Sequence, residues 1–75
     1  MPGNIRTTAW MATEGDRATA KDHLTDGGFS PRDGTGPTGE DGFPFQVDHP
    51  GRKTPQVVQS IYSAATPLRM RHDPI

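Results

Sequence analysis

Residues 27–51, GGFSPRDGTGPTGEDGFPFQVDHPG, hold seven of the chain's nine glycines and four of its eight prolines. No regular helix survives that density, and proline is excluded from the middle of a sheet because it cannot donate to the ladder. A third of a 75-residue chain is therefore expected to run as turns and extended strap. Within it, Phe43-Pro44-Phe45-Gln46-Val47 is expected to form a short edge strand or a polyproline-like segment.

The flanks do not promise a core either. Hydrophobic residues make up 29% of the chain, against about 45–50% in globular domains on a count that includes glycine. A chain of this size normally needs a dense core, a metal or disulfides, and there is no cysteine. The expected fold class is a mostly irregular, extended Gly/Pro-rich chain with one or two short α-helices, over about 14–25 and 55–65, and no autonomous globular core. The expected layout is a single non-globular chain. Residues 1–26 form an arm with a weak helix, 27–53 the strap, 54–66 a docking helix and 67–75 a basic tail.

Local signals mark the two helices. Thr13 is a candidate N-cap with Asp16 three residues on, and Gly27-Gly28 supplies the stop. The apolar face of this helix is poor, with Ala20 and Leu24 one turn apart. In the second, Thr54 is the expected N-cap and Pro55 takes the first helical position. Val57, Ile61 and Ala65 recur every four residues, Val58 and Tyr62 widen the stripe, and Pro67 forces the end.

Charge divides the chain unevenly. Residues 1–50 carry four basic and eight acidic groups, and residues 51–75 carry four basic and one acidic. A formal net charge of −1 lacks the strongly basic profile of a nucleic-acid coat protein. No apolar run approaches the roughly 20 residues of a membrane span, and no basic region followed by an apolar stretch marks a secretory signal. A cytoplasmic or virion assembly is the expected setting.

Motifs that would carry chemistry fail on spacing. Gly34-Thr35-Gly36-Pro37-Thr38-Gly39 fits GxGxxG, but SPRD precedes it and Pro37-Thr38-Gly39 starts no helix, so no dinucleotide turn forms. Asp33, Glu40, Asp41 and Asp48 are acidic, yet the third, fifth and twelfth positions counted from Asp33 are Thr35, Pro37 and Pro44, which breaks the calcium-loop pattern. His23, His49 and His72 lie on three separate segments without paired metal-ligand spacing. Ser30, Ser60 and Ser63 lie in no nucleophile elbow. No catalytic, cofactor or metal site is expected.

Interaction residues are what remain. Trp10, Phe29, Phe43 and Phe45, with Val57, Val58, Ile61 and Tyr62 on the second helix, are expected to anchor the chain in pockets of a larger partner. Arg52, Lys53, Arg69 and Arg71 are candidate basic contacts; nucleic acid is expected at most as a secondary contact. The functional expectation is a non-enzymatic structural subunit that staples seams between larger protein subunits, favoured as a minor capsid, cement or tail protein of a virus or phage particle. The alternatives are an accessory subunit of a multisubunit enzyme or respiratory complex, and a regulatory peptide that folds on binding.

Overall fold

Along Asn4–Met11 burial follows the period of a strand on one face, where Thr7, Ala9 and Met11 are buried; on the other, Arg6 and Trp10 stay partly exposed and Thr8 between them is buried. In the computed structural model, which describes residues 3–34 and 42–75, this segment is β1 (Asn4–Met11). It is followed by α1 (Glu14–Asp26), a two-residue β2 (Arg32–Asp33), β3 (Phe43–Pro50), a 3-10 turn (Gly51–Lys53), α2 (Thr54–Ala64) and β4 (Arg69–Pro74). The strands form one antiparallel sheet in the order β2-β3-β1-β4. This βαββαβ order is the split βαβ arrangement.

Both helices pack on one side of the sheet and against each other. Ala20 and Leu24 of α1 and Val57 and Ile61 of α2 share a buried cluster with Ala9, Met11, Phe45, Val47 and Phe29. The expectation of an extended chain without a core is thereby overturned: the molecule spans 37 × 23 × 16 Å around that cluster. Two physical reasons account for the difference. Ala9 and Ala20 are fully buried, so small side chains bring helix and sheet close, and fewer large ones are needed. Thr7 and His49 are also buried, and they fill core positions as a hydrogen-bonded polar pair that an apolar count overlooks.

Despite its prolines, 43–50 forms a central strand, β3, and not the expected edge strand or polyproline-like segment. The Ile75 N–H donates to the Asn4 carbonyl, so even-numbered β1 residues turn their backbone groups to β4 and odd-numbered ones to β3. Through the β1–β3 register, Phe43, Phe45, Val47 and His49 bond to β1, while Pro44 and Pro50 turn away from it. No β1–β3 ladder bond is lost at either proline. On that outer side β2 supplies only two residues.

The helices fall where the local signals place them. Thr13 caps α1 in an extended conformation, its Oγ1 accepting from the Asp16 N–H at 3.0 Å, and Gly27 and Gly28 end it, the latter at φ 91°. At α2 the cap differs from the sequence expectation. Lys53 holds the N-cap position, and Thr54 is the first helical residue, its hydroxyl donating to the Gly51 carbonyl. The 3-10 turn runs straight into the helix and displaces the cap by one residue. Entry to β3 depends on Gly42, at φ 90°, where a Cβ would lie 2.8 Å from the Met11 carbonyl oxygen.

Candidate interaction surface

The helices leave the opposite face of the sheet bare, and no helix or strand among the described residues covers it. Register and alternation place there Arg6, Thr8 and Trp10 of β1, Pro44, Gln46 and Asp48 of β3, Arg32 of β2, and Arg69, Arg71 and Asp73 of β4; Thr8 and Pro44 are buried, and the others are half-buried or exposed. Four of the eight Lys/Arg residues thus gather on one face, against two aspartates.

These charges are ordered. Arg6 donates from Nε and Nη2 to the two carboxylate oxygens of Asp48 at 2.9 and 3.2 Å, and Arg32 Nη1 approaches Asp48 Oδ2 at 3.4 Å. The hydrogen bond from Arg6, with the charge of both arginines, holds the Asp48 carboxyl below the usual carboxylate range. Arg71 pairs with Asp73 at 2.8 Å. Arg69 has no carboxylate partner among the described residues. It lies over the indole of Trp10, its guanidinium carbon 4.1 Å from the ring centroid. Leu68, 58% exposed, extends this corner beside Gly42 and Trp10.

The Asp48 carboxyl makes a testable contribution. A depressed folded-state pKa adds stability above the unfolded carboxyl pKa, and that stability is lost as pH falls through the folded value. Asp48→Asn is therefore expected to lower Tm at neutral pH, and the gap from the parent should close as pH falls through and below the usual carboxylate range. Parallel Tm curves over the whole range would show that the Arg6–Asp48 pair contributes nothing.

The polar side chains on the helix side are engaged differently. His49, 2% exposed, donates from Nδ1 to the Pro50 carbonyl at 2.8 Å, since a carbonyl only accepts. In the neutral ring Nε2 then accepts, and the Thr7 hydroxyl donates to it at 2.7 Å. The Thr7 oxygen in turn accepts from His72 Nδ1 at 2.8 Å. Phe29 packs edge-on to the His49 ring, with centroids 6.3 Å apart. Order resembles that of an activated hydroxyl, base and orienting group, but Thr7 is fully buried, so no substrate reaches its oxygen. His23 lies elsewhere, its Nδ1 2.8 Å from Ser63 Oγ. Ser63 donates its own proton to the Ser60 carbonyl, so here the imidazole is the donor and does not activate the serine.

The structure therefore brings His49 and His72 together through Thr7 and leaves His23 apart. Among the described residues no three His, Asp, Glu or Cys side chains converge as metal ligands. Thr35, Gly36, Pro37, Thr38 and Gly39 of the glycine motif, with Glu40 and Asp41, lie outside the described residues; Asp33 is bound by Lys21 of α1 at 2.5 Å. A pocket of about 340 Å³ opens beside Gly3, Asn4, Pro50, Gly51 and Arg52, with Arg52 its one charged lining residue. No described helix is long and apolar enough to cross a membrane.

The expected anchors divide by environment. Phe29, Phe45, Val57 and Ile61 are buried in the chain's own core. Val58 is half-buried, and Phe43 is half-buried beneath Arg17, whose guanidinium carbon is 5.7 Å from its ring centroid. Trp10 is half-buried on the bare face, and Tyr62 is 51% exposed on α2. Of the expected basic contacts, Arg69 and Arg71 lie on the bare face, whereas Arg52 and Lys53 sit on the turn before α2. Arg6, Arg32 and Gln46 are not among the residues the sequence singles out for a site, and Asp48 is weighed there only as a calcium ligand. The alternation of NIRTTAWM was the one available signal, because it places Arg6 and Trp10 on the same side. No family model, no curated protein and no solved structure matches the chain.

Proposed function

We propose that this chain is a non-catalytic interaction module that docks on a larger protein partner through the bare sheet face. The observation that supports it is the Trp10–Arg69 stack set among Arg6, Arg32 and Arg71. Tryptophan and arginine are the residues that most often dominate binding energy at protein interfaces, and a stacked guanidinium is already ordered before docking. A protein surface suits this face better than a nucleic acid does. Phosphate binding rests on a broad positive field, whereas here Asp48 and Asp73 offset two of the four arginines and the chain as a whole is at −1. The module serves as a minor subunit of an assembly, a virus particle or a multisubunit enzyme complex; copy number per assembly separates these settings.

Site-specific photo-crosslinking in the native host tests the reading. A benzophenone side chain at Gln46, on the bare face, is expected to give discrete protein adducts that disappear in Trp10→Ala/Arg69→Ala. The same probe at Asp22, exposed on α1, is expected to give none. Adducts to nucleic acid, or equal adducts from both positions, would overturn it.

A further inference from the structure

β4 ends the strand order, so its outer edge is paired by no strand among the described residues. The phase set by the Ile75–Asn4 bond turns the backbone groups of Arg69, Arg71 and Asp73 toward β1. Those of Met70 and His72 therefore point outward, and Pro74 adds a carbonyl without an N–H. This edge presents two N–H donors and three carbonyls in strand geometry, with Arg69 and Arg71 along its bare-face side and half-buried Met70 on the other.

A second copy of the chain is the competing occupant of this edge. Two-fold antiparallel pairing about Arg71 sets Arg71 against its own counterpart, a like-charge pair at the centre of the ladder, with Arg69 opposite Asp73 on either side. Pairing about His72 instead sets Pro74 against Met70 and loses that donor. The same arginines suit a strand of opposite charge.

We infer that β4 is extended by an acidic segment of the protein partner, added as a fifth strand with carboxylates at alternate positions over Arg69 and Arg71. An apolar residue between those carboxylates covers Met70. The inference rests on the interaction-module reading and names the chemistry of what that module takes. Pro74 limits the added ladder to a few residues, and Arg69, free of a carboxylate among the described residues, is the stronger of the two charge contacts.

The probe is a blocked peptide of alternating valine and glutamate, with a lysine-for-glutamate analogue and a single-stranded oligothymidylate as competitors. Two readouts are native to the chain: amide exchange at Met70 and His72, and the fluorescence of Trp10, its one tryptophan. The acidic peptide is expected to slow exchange at both amides and to perturb Trp10 through Arg69. Arg69→Glu/Arg71→Glu is expected to weaken binding by roughly tenfold or more. Met70→Pro removes an outward N–H without touching the β1 ladder and is expected to abolish binding; because Met70 also packs on the core, the arginine pair is the decisive variant if that one fails to fold.

Equal protection by the lysine peptide, protection that rises with protein concentration alone, or no binding by the acidic peptide would each overturn the edge-strand inference. A response of Trp10 with unprotected Met70 and His72 amides would overturn it too, while leaving the interaction-module reading in place. Displacement by the oligothymidylate would overturn both.

Discussion

Phe45→Ala is expected to destabilise the chain by about 3–5 kcal/mol, the cost of truncating a buried aromatic. A domain of 75 residues at roughly 0.05–0.15 kcal/mol per residue has about 4–11 kcal/mol in total. The variant should therefore be close to unfolded at room temperature. Phe45 is fully buried on β3, opposite Ala9, and belongs to the cluster that joins α1 and α2 to the sheet. Phe45 heads the fully buried side chains by volume among the described residues, so its truncation leaves the largest void in the cluster. Tyr62→Ala is the matched control, because its ring is 51% exposed and its loss should cost within about 0.5 kcal/mol. Urea titration of the isolated chain reads both. The parent should unfold in one cooperative transition, and a midpoint for Phe45→Ala within error of the parent would show that the core is not built around this ring.

The second large effect is expected from a single hydroxyl. Thr7→Val keeps the shape of the side chain and removes the one group that satisfies two imidazoles. His49 Nε2, buried, then has no donor, and His72 loses its acceptor. Leaving a buried polar group without a partner costs about 1–3 kcal/mol. Thr19→Val, on the exposed side of α1, should by comparison fall within about 0.5 kcal/mol. A second measurement separates this hydrogen-bond chain from simple packing. Nitrogen NMR of the parent should place a proton on His49 Nδ1, the atom that faces the Pro50 carbonyl, and none on Nε2. A proton on Nε2 would break the assigned chain at Thr7, whatever the stability result.

Both effects depend on contacts across most of the chain, which marks the limit of what local sequence conveys. Thr13, Gly27, Pro55 and Pro67 specify two helices within a few residues, because capping and proline sterics act over one turn. The Ala20–Leu24 pair and the Val57–Ile61 stripe likewise name the faces those helices bury. Strand pairing has no such short range. Thr7 meets His49 and His72, 42 and 65 residues away, and nothing near Thr7 announces either partner.

The glycine and proline density of 27–51 argues against a central strand, since proline removes a ladder donor. Whether that donor is needed depends on which way it points. At Pro44 and Pro50 it points away from β1, toward a side where β2 pairs only with Phe45 and Gln46. By itself the sequence determined where the two helices lie and the Ala20–Leu24 and Val57–Ile61 pairs that they bury, through forces that act within a turn. Only the tertiary structure decided that a core exists, and that Phe29 and Phe45 belong inside it while Trp10 joins Arg6, Arg32, Arg69 and Arg71 outside. Face and partner follow from sheet register, and register is a property of segments that the chain brings together only on folding.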